Sequence, residues 1–374
     1  MVLQLTPPKY QLRLILAVSL LLATAWSSPS SGAPRSNWYP VSVDVWDPPF
    51  NSERRRETKS YSPLQQAAKP WHFCVLIPHL KDSYWLAVNY GLVAQARDLG
   101  IDISVFEAGG YERLDVQRRQ FDQCLQQREK PFDGIIVGAI AADGLDEQIA
   151  QARSQNIPVL DLINGIDSPD ITARSAVDFY DLGFLAGEYL RRLETVETKE
   201  LGVAWFPGPD GAGWVAAGDA GFRAALADSH VRILVTSNGD TGKATQAELI
   251  EAALEELPDK SIDYVVGTTV SAEAAVAILR SSGLEEQIKV LAYYFGPGVN
   301  RGIRRGSILA APSDSTVIQA RIAIDTMVRI MEGQPYFTHV GPQIQLVDQN
   351  SIDTWDASTA LAPRGFRPVF RVGN

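Results

Sequence analysis

Residues 72–99 read HFCVLIPHLKDSYWLAVNYGLVAQARDL, and this stretch decides the fold class. Its first six residues form an apolar run of the kind that is buried on both faces of a parallel sheet. Polar residues follow at 81–83, and a helical pattern then runs from Trp85 to Leu99. The stretch therefore predicts a strand followed directly by a helix, which is the repeating unit of α/β proteins.

The same unit recurs along the chain. Apolar runs bounded by turn residues occur at residues 72–77, 101–106, 133–138, 157–162, 201–206, 231–236, 262–267 and 288–293. Helical patterns lie between most of them, for example at residues 117–126 and 244–257. The unit recurs about eight times, which is enough for two α/β lobes rather than one sheet. A closed eight-unit barrel is the competing arrangement.

Composition and charge exclude some classes of binding partner. The 374 residues are 45% hydrophobic, 21% charged and 9% aromatic, which is ordinary for a globular protein. The net charge of −10 provides no basic surface for nucleic acid or anionic lipid, so we expect neither as a partner. Two cysteines are too few for a disulfide scaffold or for a structural zinc site.

The N-terminus has the pattern of an export signal. Lys9 and Arg13 precede an apolar run at residues 14–25 that contains no acidic residue. This run is shorter than the roughly 20 residues of a membrane-spanning helix, although an uncleaved anchor is the alternative. We predict a signal peptide at residues 1–25, with cleavage possibly as late as residue 33, and hence a protein of the periplasm.

The arm that follows, residues 26–70, is rich in Pro and Ser, and we expect it to lie outside the main cores. Alternating valines at residues 41–45 allow one short strand within it. Trp38, Tyr39 and Trp46 are candidates for contact with a partner. Packing of the arm onto its own lobe is the alternative.

The two cysteines lie in different predicted elements, Cys74 in a strand and Cys124 in a helix. In an oxidising compartment an even pair favours one disulfide bond. Two separately buried thiols are the alternative.

Catalytic signatures are mostly missing from the sequence. The four histidines are scattered, without the spacing of a metal site. Residues 208–213 (GPDGAG) follow a strand and open a helix, but they lack the spacing of a phosphate-binding loop and indicate a tight turn. We therefore expect no metal and no cofactor, and a binding protein rather than an enzyme.

Aromatic and acidic side chains follow the first two predicted strands. Asp82, Tyr84 and Trp85 come after the first strand, and Tyr111 comes after the second. Ligands of doubly wound sheets bind at the carboxyl ends of the strands, so these residues are candidate ligand contacts. The alternative is that the rings only cover the core.

Several short stretches carry a family resemblance. They are residues 81–86 (KDSYWL), 89–91 (NYG), 107–111 (EAGGY), 121–124 (FDQC), 164–167 (NGID), 207–210 (PGPD), 221–225 (GFRAA) and 365–369 (GFRPV). On these stretches the chain resembles the type I periplasmic binding proteins over nearly all of residues 71–370. The resemblance implies an α/β fold of two doubly wound lobes joined by three crossovers. Its lobes would comprise 71–176 plus 314–337, and 177–313 plus 338–374.

The resemblance also implies a ligand site in the cleft between the lobes. It is strongest to members that detect trimethylamine N-oxide for a membrane sensor histidine kinase. The residues that it carries over as ligand contacts are Asp82, Tyr84, Trp85, Tyr111 and Tyr294. Phe179 stands where these members have a Trp, and it keeps a ring face without the N–H. Where sugar-binding members place charges, this chain has Ile163-Asn164, the uncharged segment 214–216 and Tyr294.

Three functions follow as hypotheses. The leading one is a periplasmic sensor that binds trimethylamine N-oxide, or a related methylamine, and regulates a sensor histidine kinase through the closure of its lobes. A betaine is a further candidate ligand, although the sequence places no Arg for its carboxylate. The second function is the solute-binding component of an ABC importer for a small quaternary amine or a sugar. The third is an exported α/β enzyme, which requires a catalytic constellation that we do not find.

Overall fold

The computed structural model describes residue 4 and residues 38–197, 200–257 and 262–373, with side chains left out at 195–197. Residue 4 apart, the predicted signal peptide at residues 1–25 lies outside the described residues, and so do residues 26–37 of the arm. The compact unit Asn37–Asn374 contains every element discussed below.

The described residues contain fifteen strands and nine α-helices, numbered in chain order. The strands are β1 (Val41–Trp46), β2 (Arg56–Tyr61), β3 (His72–Ile77), β4 (Asp102–Glu107), β5 (Gly134–Val137), β6 (Val159–Leu162), β7 (Ala173–Ser175), β8 (Leu201–Phe206), β9 (Val231–Thr236), β10 (Tyr264–Gly267), β11 (Lys289–Ala292), β12 (Ala310–Ser313), β13 (His339–Pro342), β14 (Gln345–Asp348) and β15 (Arg371–Val372). The helices are α1 (Ser83–Leu99), α2 (Leu114–Gln126), α3 (Asp146–Ser154), α4 (Phe179–Glu197), α5 (Gly213–Leu226), α6 (Lys243–Glu256), α7 (Thr269–Ser282), α8 (Pro297–Arg305) and α9 (Thr316–Met331). All eight predicted apolar runs form strands, namely β3 to β6 and β8 to β11.

The first strand-helix unit shows why the sequence folds in this way. Every residue of β3 is buried, and the strand pairs in parallel with β4 on one side and β5 on the other. Helix α1 begins after Asp82, whose carboxylate accepts a hydrogen bond from the Trp85 backbone N at 3.0 Å. This bond satisfies one of the N–H groups that a helix leaves unpaired at its start. The helix ends at Gly100, whose left-handed backbone (φ 74°) favours a residue without Cβ.

The first sheet has nine strands in the order β15-β4-β3-β5-β6-β7-β13-β1-β2. Its strands from β4 to β13 run parallel. Alternate residues of β3 enter two different cores, Phe73 and Val75 on the side of α1 and α9, and Cys74 and Leu76 on the side of α2. The sheet is therefore open and covered by helices on both faces, as predicted, and it is not a barrel.

The second sheet consists of four parallel strands in the order β11-β10-β8-β9. Strands β12 and β14 form an antiparallel pair, and β12 lies beside β11. The chain passes between the sheets after β7, after β12 and after β13. The first two passages lie at the predicted boundaries, whereas the third was expected at residues 337–338, before β13. The chain then returns a fourth time, because β15 pairs with β4 at the edge of the first sheet.

The C-terminal segments lie partly elsewhere than expected. The family resemblance places residues 338–374 in the second lobe, whereas β13 and β15 belong to the first sheet. Asn89 of α1 holds the tail in place, since its side chain donates to the Val369 carbonyl and accepts from the Val369 N–H, both at 2.9 Å. Tyr90 packs edge-on against Phe366, with ring centroids 5.3 Å apart. Two of the stretches that carry the family resemblance therefore contact each other.

The arm also belongs to the first lobe by strand pairing. Strand β1 pairs with β13 and β2, so the arm does not lie outside the cores. The Trp46 ring stacks on His339 at 4.0 Å, and the Trp38 indole donates a hydrogen bond to Gln95 at 3.1 Å. These two rings pack onto their own lobe.

The predicted disulfide bond between Cys74 and Cys124 is present and joins β3 to α2. Within the described parts of the chain, no helix combines the length and the apolar character needed to cross a bilayer.

Candidate functional site

The structure brings the six predicted ligand contacts together around one cavity in the cleft, which we call the inner cavity. Its lining residues are Asp82, Tyr84, Trp85, Tyr111, Asn164, Phe179, Trp214, Thr241 and Tyr294. The cavity has a volume of about 10 Å³, which is room for about one water molecule. The lobes are therefore closed on the rings.

The first turn of α1 forms the wall on the side of the first lobe. Trp85 is buried, and the Tyr84 ring lies edge-on against it with the ring centroids 5.9 Å apart. The ring centroids of Tyr84 and of Tyr294, which belongs to the second lobe, lie 5.3 Å apart. The Tyr84 hydroxyl donates a 2.6 Å hydrogen bond to Asp314, and burial followed by the charge of Asp314 raises the Tyr84 pKa well above its usual value.

Tyr111 and Asn164 form the adjoining part of the wall. The Asn164 side-chain amide donates to the Tyr111 hydroxyl at 3.1 Å and to the Ala139 carbonyl at 2.7 Å. This pair fixes the direction of the Tyr111 ring, and burial raises the Tyr111 pKa. The Tyr111 hydroxyl therefore stays protonated and can donate to a ligand.

Trp214 is the aromatic residue that the sequence analysis missed. It lies at the start of α5, and its ring lies 5.6 Å from Phe179, 6.0 Å from Tyr111 and 5.9 Å from Tyr294. Its Nε1 is buried and has no hydrogen-bond partner among the described residues. Phe179 lacks the indole expected at its position, and Trp214 supplies one beside it. The signal was available, because Trp214 follows β8 as Trp85 follows β3, at the start of a helix.

The neighbouring tyrosines 293 and 294 have different roles. Tyr294 lines the inner cavity. Tyr293 is fully buried in the second lobe, where its hydroxyl donates to the Pro207 carbonyl at 2.7 Å and its ring lies 5.0 Å from Trp205. Of this pair, Tyr294 is therefore the residue that lines the inner cavity.

Asp82 provides the carboxylate of the inner cavity. Besides capping α1, it accepts a 3.2 Å hydrogen bond from the hydroxyl of Thr241, which belongs to the second lobe. Burial raises the pKa of Asp82 to about 6, although hydrogen bonds to the carboxylate oppose the shift. Burial lowers the pKa of the adjacent His79 to about 4, so this imidazole is neutral at pH 7. The cavity therefore presents one titratable anion without a neighbouring imidazolium.

An ion pair between the lobes closes the cleft beside Asp82. The Lys81 ammonium lies 2.6 Å from a carboxylate oxygen of Asp240, and the Tyr111 backbone N–H donates to the other oxygen at 3.3 Å. Lys81 and Tyr111 belong to the first lobe and Asp240 to the second. Tyr111, which lines the inner cavity, is thus linked to the ion pair that joins the two lobes.

The chemistry of the inner cavity suits a small methylated cation. Ring faces attract a cation within about 6 Å of the ring centroid, and a carboxylate balances its charge. No group of three or more His, Cys, Asp or Glu side chains that could hold a metal ion is found in the described parts of the chain.

Comparison with known proteins agrees with this architecture. Residues 73–335 match the model of the periplasmic binding protein domain. The chain is 38% identical to the periplasmic protein TorT of Escherichia coli O157:H7, over 82% of this chain and 86% of that protein.

Two solved structures are also similar. One is an ABC transporter solute-binding protein from Bradyrhizobium sp. BTAi1 with bound bis-tris, 47% identical, with a TM-score of 0.77 over 89% of this chain and 98% of that one. The other is a chain in the complex of the TorS sensor domain with TorT in the presence of TMAO (trimethylamine N-oxide). It is 30% identical, with a TM-score of 0.72 over 80% of this chain and 99% of that one. The chain therefore belongs to the periplasmic binding protein family and, within it, to the TorT proteins of the periplasm.

Proposed function

We propose that this protein binds trimethylamine N-oxide, or a related methylamine, in the inner cavity and thereby regulates a membrane sensor histidine kinase of the TorS type. The observation that carries the proposal is the convergence of Tyr84, Trp85, Tyr111, Trp214 and Tyr294 around the single carboxylate of Asp82. The protein acts by binding alone and catalyses no reaction, in keeping with its family.

The ligand chemistry follows from what a trimethylated nitrogen lacks. It has no N–H to donate, so a protein holds it by cation–π contact, apolar packing and a nearby anion. Each ring contributes on the order of 0.5–2 kcal/mol. The N-oxide oxygen accepts hydrogen bonds, and the Tyr111 hydroxyl and the Trp214 Nε1 are two donors in the cavity lining that can supply them.

The size of the cavity links binding to signalling. A volume of about 10 Å³ is too small for a trimethylammonium group, so the rings must separate to admit one. Tyr84 and Tyr294 lie on different lobes, and their separation changes the angle between the lobes. A kinase that contacts both lobes can read this angle.

The decisive test is a ligand panel on the purified mature protein. We expect trimethylamine N-oxide to raise the thermal midpoint and to give a calorimetric binding isotherm. Trp85→Ala is expected to remove both, whereas Tyr336→Ala, at a partly exposed ring outside the cavity, is expected to retain both. The proposal fails if trimethylamine N-oxide and related methylamines at millimolar concentration leave the midpoint and the heat of the wild-type protein unchanged.

The partner is tested separately with a purified TorS-type sensor domain. We expect the two proteins to form a complex on size-exclusion chromatography, and we expect trimethylamine N-oxide to change kinase output in reconstituted membranes. Lack of complex formation with and without the ligand would remove the kinase from the proposal and leave the binding site intact.

An importer component is the second candidate function. It is favoured by the 47% identical solute-binding protein, which holds bis-tris, an amine with hydroxyl arms. Ligand-dependent stimulation of a permease ATPase, without any effect on a kinase, would identify this function.

A further inference from the structure

A second cavity adjoins the inner one, and we call it the outer cavity. It has a volume of about 150 Å³ and shares Asn164, Phe179 and Trp214 with the inner cavity as lining residues. We propose that the ligand spans both cavities and is a quaternary ammonium carboxylate of the betaine type. Its methylated nitrogen lies among the rings of the inner cavity, and its carboxylate lies in the outer one. This inference rests on the proposed function, because it needs the inner cavity to hold a methylammonium group.

Hydrogen-bond donors without partners line the outer cavity. The Trp214 Nε1 and the His339 Nδ1 are both buried, and neither has a partner in the described part of the chain. The Arg174 guanidinium donates from Nε to Asp161 and from Nη2 to the Ile166 carbonyl. Buried polar atoms in native proteins are nearly always paired, so the Trp214 Nε1 and the His339 Nδ1 predict a ligand group that accepts hydrogen bonds.

Two guanidinium groups at the outer cavity can pair with a carboxylate. Arg54 and Arg174 line it together with the Asp178 carboxylate. Arg174 already forms an ion pair with the buried Asp161, so Arg54 is the guanidinium that borders the cavity most openly. The Arg54 Nε lies 3.7 Å from the Asp178 carboxylate, so Arg54 already faces an anion of the same kind as the proposed ligand. Burial and the charges of Arg174 and Arg56 lower the pKa of His339 to about 2, so this ring is neutral and can donate from Nδ1.

Arg54 comes from the arm, which explains why the sequence offered no Arg for a carboxylate. It lies in the loop between β1 and β2, and its guanidinium carbon lies 3.7 Å from the Tyr180 ring centroid on α4. Its side chain is 42% exposed, so it borders the cavity and can turn toward a ligand. The arm therefore contributes an arginine to the outer cavity in addition to the residues that the two lobes contribute.

The volumes of the two cavities also favour a ligand that extends into the outer cavity. The outer cavity is much the larger of the two in the closed form. A ligand with a polar group beyond its methylated nitrogen uses this space, whereas trimethylamine N-oxide leaves it to water. The Trp214 Nε1 lies on the shared wall and is available to an oxygen of either ligand.

The test is calorimetry with three probes, namely glycine betaine, choline and trimethylamine N-oxide. Choline carries the same methylated nitrogen as glycine betaine but a hydroxyl in place of the carboxylate. We expect the wild-type protein to bind glycine betaine about tenfold more tightly than choline, because the outer cavity pairs a carboxylate with guanidinium groups.

Arg54→Gln identifies the charge that selects the carboxylate. We expect it to lower the ratio of betaine affinity to choline affinity about fivefold. Arg55→Gln is the matched control, because Arg55 is the next residue, its side chain is 62% exposed, and it pairs with Glu53 outside the cavity. The ratio of betaine affinity to choline affinity in the Arg55→Gln protein is expected to equal that of the wild type.

The outcomes separate this inference from the proposed function. Binding of trimethylamine N-oxide without binding of glycine betaine overturns the inference and leaves the proposed function standing. An affinity ratio that Arg54→Gln does not change also overturns it. Failure of all three probes to bind overturns the proposed function itself.

Discussion

The hydroxyl of Tyr84 donates a 2.6 Å hydrogen bond to the carboxylate of Asp314, which joins the wall of the inner cavity to a crossover between the lobes. Asp314 follows β12 directly. The Gln319 side chain continues the network, because its Nε2 donates to Asp314 at 2.7 Å and its Oε1 accepts from the Val177 N–H at 3.0 Å. Val177 lies in the crossover after β7, so one ring of the inner cavity is connected to two of the crossovers between the lobes.

Tyr84→Phe tests whether this network carries the signal. We expect the affinity for trimethylamine N-oxide to change by less than about threefold, because Phe keeps a ring face. The ligand-induced change in lobe angle, measured by small-angle scattering or by kinase output, is expected to decrease. Loss of a buried hydrogen bond to a carboxylate is expected to lower the free energy of unfolding by about 1–3 kcal/mol.

Tyr336→Phe is the control for this change, since it removes a hydroxyl from a partly exposed ring outside the cavity. A Tyr84→Phe protein with the full wild-type scattering change and kinase response would show that the network does not transmit binding.

Asp82→Asn should stabilise the ligand-free protein above pH 6 and weaken ligand binding. The unfolded chain ionises this carboxyl near its ordinary pKa of 3.8, whereas burial raises the folded pKa to about 6. The contribution of Asp82 to stability is therefore complete below pH 3.8 and is lost as the pH rises to about 6. At roughly 1.4 kcal/mol per pKa unit, the buried charge then costs about 3 kcal/mol.

Urea unfolding of the wild type and of Asp82→Asn at pH 4.5 and pH 8 measures this effect. Asn also caps helices well, so α1 is expected to persist. We expect the stability gain from the substitution to be larger at pH 8, and ligand affinity to rise through pH 6 in the wild type only. An equal gain at both pH values would contradict the assignment of the shift to Asp82.

Trp214→Phe separates the ring from its N–H group. We expect the affinity for trimethylamine N-oxide to fall about three- to tenfold, because Phe has a weaker ring face and no donor. Trp355→Phe is the control, since Trp355 packs on Phe295 in a core away from the cavity. Wild-type affinity in the Trp214→Phe protein would exclude Trp214 as a ligand contact.

Reduction of the disulfide bond is expected to lower stability without changing affinity. The bond closes a loop with a sequence separation of 50, for which the chain-entropy model gives about 4 kcal/mol. Cys74 and Cys124 lie in the core on the α2 face of the first sheet, which does not include the cavity rings. Thermal unfolding with and without a reductant, together with calorimetry, measures both quantities. An unchanged midpoint would contradict the stabilising role.

The sequence predicts local structure here better than it predicts long-range contacts. Strong apolar runs such as β3 identify their strands, and the strand-to-helix turn brings Tyr84 and Trp85 to the ligand face. The sequence predicts only an uncharged segment around Trp214, because lobe closure is what places its ring beside Tyr111 of the first lobe. Strands as short as β15, Arg371–Val372, show no periodicity. Their position depends on contacts such as that of Asn89 with Val369.

The return of the C-terminal tail to the first sheet has a consequence for the order of folding. That sheet contains residues from Val41 to Val372, so its hydrogen bonding cannot be completed until almost the whole chain has been translocated. Contacts so distant in sequence slow folding. The first lobe is thus expected to fold last, around a second lobe whose sheet uses only residues 201–292, and the ligand cleft is expected to form in that final step.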